Sequence, residues 1–428
     1  MLKSIFSKLV IILLVGVLSV AIYQIPAVNQ RLGWRFANLR AELKYAISPP
    51  EQVVFVPEQQ ELTSQSTQPP ISTPIPSIVF PTVTPLISTV TPKPTPTQTQ
   101  EPVILPAEIQ LTGVRHEYQT WNNCGPANLS MALSYWGWQG DQSDVAGFTK
   151  PNPRDKNVMP YEMAAYIEEE TDHQVNHRVG GDLELLKRFI VAELPVIIEK
   201  GFEEEEFDGW MGHYVLVTGY DEAEKVFIVQ DSYIMPDMPV SYDQIGSYWR
   251  AFNFTYMVIY PPEREDDVRD LLGPHNDETY NYQYAANLAS DEIVSLSGRD
   301  QFFAWFNRGS SLVSLQNYAG AAEAFDNAFA QYPLIPEDVR PWRMMWYQTG
   351  PYWAYFYTGR YQDVINLSTA TLDAMSEPIL EESYYWRGLA REAFGDVPGA
   401  IEDLQDSLAY HPGFAPSLYQ LERLESIN

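Results

Sequence analysis

The chain has a single cysteine, Cys124, among its 428 residues. One thiol excludes an internal disulfide, and one sulfur does not make a metal site. Basic residues are also scarce, because 27 lysines and arginines stand against 56 acidic residues and give a net charge of −29. Binding nucleic acid requires a basic surface, so the sequence predicts no nucleic-acid partner. Three roles stay open for this cysteine: a buried filler, an intermolecular bridge or a nucleophile.

Residues 9–25, LVIILLVGVLSVAIYQI, are almost wholly apolar and follow Lys3 and Lys8. This pattern is typical of a short membrane-spanning helix or of a secretory signal peptide. No clear small-residue cleavage site follows, which favours an uncleaved signal anchor. We therefore expect a cytoplasmic N-terminus at residues 1–8, a transmembrane anchor at 9–25 and an extracytoplasmic remainder. Secretion after cleavage is the alternative.

Residues 63–105 are rich in proline, threonine and serine and follow a juxtamembrane segment at residues 26–62. Proline removes backbone donors and stiffens the chain towards polyproline II, so this stretch cannot build a core. We interpret it as a spacer between the membrane and the folded domains.

Cys124 stands at the start of a predicted helix in the sequence NNCGPANLSMALSYWGW. Pro126 fits the first helical turn, and Asn122 and Asn123 are good capping residues. The free N–H groups and the dipole of a helix N-terminus favour a thiolate. A free cysteine is also among the most buried and inert residue types, so position alone leaves both interpretations open.

A nucleophilic thiol needs a base, and the chain has only six histidines. His213 is the second residue of GHYVLVTGYDEAEKVFIVQDSY, which predicts a β-hairpin with Asp231 at the end of its second strand. The hairpin would bring the carboxylate beside the imidazole, where it fixes the tautomer and supports the imidazolium. This pattern makes His213 a better candidate base than the other five histidines.

Together, NNCGPA, GHYVLVTGYD and VQDSY resemble the C39-like branch of the papain-fold cysteine peptidases over residues 106–262. The resemblance implies an α+β papain-like domain with an antiparallel sheet. It also implies that Cys124 is the nucleophile, that His213 is the general base and that Asp231 orients the imidazole ring. The segments PVIIEKGF and FNFTYMVIYPP fit strands of such a sheet.

Members of this family usually have a glutamine shortly before the cysteine that completes the oxyanion hole. Gln119, five positions before Cys124, is the candidate here, with a backbone N–H or Asn122 as substitutes. No cofactor is expected.

The sequence offers no convincing metal site either. His173 and His177 are four residues apart, a spacing that on a helix could share a metal. No third ligand is evident nearby, so we interpret both as surface histidines and predict no metal.

An acidic run at Glu203–Glu206 lies shortly before His213. Such a run is usually a solvated loop. Because it precedes the candidate base, we expect it to line one edge of the cleft and to favour cationic substrates.

Residues 301–428 resemble three tetratricopeptide repeats, the middle one degenerate. A polar connector at residues 263–300 precedes them, with a helix expected at DETYNYQYAANLASDEIV. Small residues such as Ala321 and Ala400 would let paired helices approach. Such arrays commonly bind peptides or proteins on a concave surface, and the alternative is that the repeats only stabilise or space the enzyme.

The leading interpretation is a membrane-anchored, extracytoplasmic thiol peptidase that acts on a peptide or protein substrate through an acyl-enzyme. Its all-α repeat domain would bind a protein partner. An amine acceptor in place of water would make the same Cys-His-Asp set an acyltransferase or transpeptidase. A non-catalytic peptide-binding scaffold is the remaining alternative.

Overall fold

The computed structural model describes residues 55–57, 105–203, 209–375 and 377–427. The predicted anchor at 9–25, most of the juxtamembrane segment and nearly all of the proline-rich spacer lie outside these ranges. Among the described residues, no helix is both long and apolar enough to cross a membrane. The expectations for the N-terminal segments therefore stay predictions.

An antiparallel sheet of seven strands organises the first folded region. The strands are β1 Glu108–Gln110, β2 Gln174–Arg178, β3 Val196–Phe202, β4 Met211–Asp221, β5 Val226–Gln230, β6 Met238–Ser241 and β7 Tyr256–Tyr260. Their order is β2-β7-β3-β4-β5-β6, and β1 also pairs with β4. The central strand β3 is buried along its whole length, including its two charged residues, Glu199 and Lys200.

Helices cover both faces of this sheet. They are α1 Cys124–Tyr135, α2 Gln142–Thr149, α3 Pro160–Glu170, α4 Leu183–Val191 and α5 Tyr242–Arg250. Alternate residues of β3 belong to separate cores: Val196 and Ile198 pack with α4 and α5, whereas Ile197 packs with α1 and α3. The period-two alternation of strand side chains thus places α1, and the cysteine at its start, on one defined face.

One strand is shorter than the segment predicted from the sequence. The predicted strand at 252–262 forms only as β7, because Asn253 and Phe254 have positive φ values of 54° and 51°. These left-handed residues make a turn before the strand begins.

The predicted connector at 263–300 is largely helical. It contains α6 Glu265–Leu272 and α7 Glu278–Ser295. The side chain of Asp277 accepts a hydrogen bond from the Tyr280 N–H at 2.7 Å and caps α7. Three small residues of α7, Ala285, Ala286 and Ala289, are buried.

The C-terminal region is a series of helices: α8 Gly298–Ser314, α9 Tyr318–Gln331, α10 Gly350–Tyr357, α11 Tyr361–Asp373, α12 Glu381–Ala393, α13 Val397–Tyr410 and α14 Ala415–Ile427. A side chain on Gly309 would lie 2.6 Å from Phe325, and one on Gly388 would lie 3.2 Å from the Ala400 carbonyl. Equivalent glycines therefore mark close helix approaches in the first and last pairs, and this arrangement is consistent with helical repeats.

The helical region packs directly against the sheet region. Trp210, just before β4, stacks on Phe252 with ring centroids 5.6 Å apart, and Phe303 of α8 approaches the same indole at 5.9 Å. Phe55, from the segment predicted to lie near the membrane, contacts Phe329 with ring centroids 5.0 Å apart. The two regions therefore share an aromatic core.

Candidate active site

Cys124 is the first residue of α1, which confirms its predicted place at a helix N-terminus. The predicted asparagine cap is wrong, because Asn123 occupies the N-cap position without a capping hydrogen bond. Its amide instead donates to Gln142 Oε1 at 3.2 Å. The uncapped first turn leaves backbone N–H groups for the sulfur, and a hydrogen bond from Gly125 contributes to a lowered Cys124 pKa.

His213 and Asp231 meet as the hairpin pattern predicted. His213 lies in β4, Asp231 follows β5 directly, and Leu216 pairs with Gln230 in the register between these strands. The His213 Nε2–Asp231 Oδ1 distance is 3.0 Å. Asp231 is fully buried, and its Oδ1 also accepts the Tyr233 N–H at 2.9 Å, which fixes the carboxylate in place.

The electrostatics of the three groups favour a thiolate–imidazolium pair. Burial alone would raise the Cys124 pKa, but hydrogen bonding to His213 and the charge of its ring bring the pKa below its usual value. Burial lowers the His213 pKa, yet the charge and hydrogen bond of Asp231 outweigh it and raise this pKa to about 9. Burial opposes ionisation of Asp231, but His213 lowers its pKa to about 2. Because Nε2 is engaged by Asp231, Nδ1 is the ring nitrogen that faces the thiol.

Gln119 lies beside these residues and lines the same small cavity as Cys124 and His213. Its backbone N–H donates to the Ser232 carbonyl at 2.8 Å, and its Oε1 accepts the Ser232 hydroxyl at 2.8 Å. With the amide oxygen held in this way, the Nε2 group is the end of the side chain available to a developing oxyanion.

The substitute oxyanion donor, Asn122, is directed elsewhere. Its φ is 51°, and its side-chain amide donates to the Asp155 carbonyl at 3.0 Å. Gln119 is therefore the better placed of the two side chains.

Asn128 and Ser232 are supporting residues that the sequence reasoning missed. Both are buried, and the Asn128 amide donates to the Tyr214 carbonyl at 2.8 Å and to Ser232 Oγ at 3.2 Å. These bonds join α1 to β4 and to the loop that holds Gln119. An asparagine one turn after the cysteine, and the serine in VQDSY, were the available signals.

The helical region supplies part of the wall of this cavity, whose volume is about 90 Å³. Three lining residues come from the long connection before α10: Arg343, Trp346 and Tyr347. The Arg343 guanidinium also donates to the Trp210 carbonyl at 2.9 Å. The C-terminal region therefore forms part of the surroundings of Cys124. No motif in the degenerate middle repeat predicted this contact.

Glu203 is the only residue of the acidic run that the structure describes, and it does not line the cleft. Glu203 forms an ion pair with Arg299 of α8, and it is absent from the cavity wall. The other three glutamates lie outside the described residues, and their influence on substrate preference stays a prediction.

The histidine pair lies on a strand rather than a helix. His177 belongs to β2 and His173 lies just before it, so their four-residue spacing separates them by about 13 Å. His177 is half-buried rather than the surface histidine that we expected, and this burial lowers its pKa to about 4. The two cannot share a metal.

Residues 106–257 match the model of the Peptidase_C39 like family, which confirms the resemblance found from the motifs. This segment forms a C39-like α+β domain, and the helical region that follows is consistent with repeats. No curated protein matches the sequence at a significant level.

Three solved structures are similar to parts of the chain. A protein described as a C39-like peptidase from Bacillus anthracis is 17% identical, with a TM-score of 0.30, over 36% of this chain and 96% of that one. The peptidase domain of Streptococcus ComA, a bi-functional ABC transporter, is 17% identical, with a TM-score of 0.27, over 34% and 96%. Xylellain, a cysteine protease from Xylella fastidiosa, is 13% identical, with a TM-score of 0.29, over 37% and 87%.

Proposed function

We propose that this protein is a membrane-anchored, extracytoplasmic cysteine peptidase that cleaves peptide bonds through an acyl-enzyme. The observation that carries the proposal is the hydrogen-bonded set of His213, Asp231 and Cys124, the first residue of α1. Its pKa values are shifted in the directions that an ion-paired nucleophile and general acid require.

In the proposed reaction, the Cys124 thiolate attacks the substrate carbonyl and forms a C–S bond. The Gln119 amide stabilises the oxyanion, and the His213 imidazolium passes its proton to the leaving amine as the C–N bond breaks. His213 then takes a proton from water, which attacks the thioester and releases the acid and the thiolate. Asp231 holds the ring in one tautomer throughout.

Anchoring and export rest on the apolar segment at residues 9–25 and on the spacer that follows. The helical region is proposed as a tetratricopeptide module that binds a protein partner. Because Trp346 and Tyr347 line the cavity beside Cys124, this module would also shape which peptides reach the thiol.

The acyl-enzyme could also react with an amine, in which case the protein would be an acyltransferase or transpeptidase. A peptide library, incubated with the full-length chain in detergent and in H₂¹⁸O, distinguishes these reactions by mass spectrometry. A peptidase puts one ¹⁸O atom into the new carboxylate, whereas a transferase joins the acyl group to an added amine such as glycinamide. No product from the wild type, with Cys124→Ala as the matched control, would favour the binding-scaffold alternative.

A further inference from the structure

A second cluster of ionisable side chains lies where the C39-like domain meets the helical region. Asp155 precedes α3, Glu381 begins α12, and His411 follows α13. One ligand atom from each of these three residues lies within 4.8 Å of the other two. Asp155 and Glu381 are each only 3% exposed. Residues from both regions thus converge at one buried point.

More carboxyl groups surround this point. Glu382 is 9% exposed and accepts the Tyr161 hydroxyl at 3.1 Å, and the Glu162 carboxylate accepts the Met159 N–H at 2.7 Å. In the described part of the chain, no lysine or arginine forms an ion pair with any of these four carboxyl groups. Such a concentration of buried negative charge is costly unless protons or a cation compensate it.

The ammonium group of Lys150, which acts on Asp155 through its charge, does not fill this role. Lys150 Nζ donates to the carbonyl oxygens of Trp121 and Asn122, each at 3.1 Å, and acts on Asp155 only through its longer-range charge. Burial and then the repulsion between neighbouring carboxylates raise the pKa values of Asp155, Glu381 and Glu382.

Two of the buried carboxyl groups also keep an acceptor without a partner among the described residues. Asp155 Oδ1 accepts the Lys156 N–H at 2.6 Å, but no hydrogen bond reaches Oδ2. Glu381 Oε1 lies 2.6 Å from His411 Nδ1, and its other oxygen likewise has no donor. These two oxygens could bind a cation without breaking an existing hydrogen bond.

We propose that Asp155, Glu381 and His411, with Glu382 beside them, bind one divalent transition-metal cation of the Zn²⁺ type. An imidazole nitrogen with carboxylate oxygens suits Zn²⁺ better than Ca²⁺, which prefers six to eight oxygen ligands. Small side-chain rotations would bring the ligand atoms to the roughly 2.0–2.2 Å that Zn²⁺ requires. The cation would replace the proton now shared by His411 and Glu381.

The surroundings offer access to this site and a consequence for the thiol. A cleft of about 830 Å³ between the two regions is lined by Tyr161, Glu382 and His411 and gives the cation a route from solvent. The carbonyl of Asp155 accepts the Asn122 amide two residues before Cys124. A bound cation would therefore tie the helical region to the loop that leads into the candidate active site.

The test measures Zn²⁺ binding by the full-length chain, purified in detergent and stripped with a chelator. The Cys124→Ala background removes the reactive thiol as a competing ligand and makes the result independent of peptidase activity. We expect one Zn²⁺ per chain by calorimetry and by metal analysis after dialysis. Asp155→Asn and His411→Ala, which change ligands from different regions, should each weaken binding at least about tenfold.

His173→Ala is the matched control, because it removes a histidine outside the cluster and should leave binding unchanged. Asp155→Asn preserves side-chain volume and provides a test even if His411→Ala does not fold. The proposal is overturned if the unsubstituted cluster binds no Zn²⁺, which would mean that protons alone compensate the charge. Equal binding by Asp155→Asn and the control, or a preference for Ca²⁺ over Zn²⁺, would also overturn it.

Discussion

Two buried groups of ionisable side chains lie on either side of the segment that contains Asn122, and they differ in how their charge is compensated. Around Cys124, each charge has an opposite partner: the thiol faces His213, and His213 contacts Asp231 at 3.0 Å. Around Asp155, carboxyl groups from both regions converge with one histidine and without an arginine or lysine partner in the described residues.

The comparison shows that burial alone does not decide the charge state of a side chain. Asp231 is fully buried, yet its pKa is lowered to about 2 because His213 and two backbone N–H groups stabilise the anion. Glu381 is buried almost as deeply, and its pKa is raised, first by desolvation and then by Asp155. The two carboxyl groups are buried to a similar extent, and their pKa values shift in opposite directions because their neighbours differ.

The largest loss of activity is expected when His213, which interacts with both Cys124 and Asp231, is replaced. His213→Ala should lower kcat/KM for a cleaved peptide by about 10³-fold, because it removes both the general acid–base and the ion partner of the thiolate. The matched control is His173→Ala, for which steady-state kinetics should match the wild type. Similar losses in the two variants would disprove a special role for His213.

A smaller loss of activity is expected when Gln119, the neutral hydrogen-bond donor beside Cys124, is replaced. Gln119→Ala should lower kcat by about 10²-fold with little change in KM, because the oxyanion forms only during the reaction. Asn122→Ala is the comparison, since the Asn122 amide already donates to Asp155. A greater loss in Asn122→Ala would reverse the assignment of the oxyanion donor.

The pH dependence of activity should report the Asp231–His213 contact. Peptide cleavage by the wild type should fall as the pH rises through about 9, because His213 then loses the proton that the leaving amine needs. Asp231→Asn removes the negative charge that raises this pKa, so the alkaline limb should move to lower pH, with about tenfold lower activity at neutral pH. An unmoved limb in the kcat/KM profile would show that Asp231 does not set this pKa.

The smallest expected effect is a gain in folding stability rather than a loss of activity. In metal-free protein, Glu382→Gln should stabilise the fold by about 1 kcal/mol, because it removes one uncompensated buried carboxyl and keeps an oxygen for the Tyr161 hydroxyl. Urea unfolding provides the measurement, with Asp231→Asn as the contrasting variant that should destabilise. Destabilisation by both substitutions would mean that the two groups are compensated alike.

The sequence predicted what short segments determine on their own. The start of α1 at Cys124, the hairpin that joins His213 to Asp231, and the helical C-terminal region each follow from local pattern. The segment chosen as C39-like, 106–262, also agrees with the matched residues 106–257. A hairpin is specified by residues close in the chain, which is why the contact between His213 and Asp231 could be anticipated.

The remaining features depend on packing between distant segments. Asp155 lies far along the chain from Glu381 and His411, which are themselves 30 residues apart, and none stands in a metal-ligand spacing. Trp346 and Tyr347 reach the cavity of Cys124 from an irregular connection that carries no repeat signature. Asn123 does not cap α1 for a related reason, because its side-chain amide donates a hydrogen bond to Gln142 of the next helix.

The most direct test is the rate of alkylation of Cys124 by iodoacetamide across pH, in the full-length wild type and in His213→Ala. As the only cysteine, it gives an unambiguous signal by mass spectrometry. We expect fast alkylation by the wild type at pH 6, and in the variant a rate that rises with an apparent pKa near the ordinary thiol value of about 8.5. If the wild-type rate instead rises with that same ordinary pKa, there is no thiolate–imidazolium pair and the peptidase proposal is wrong.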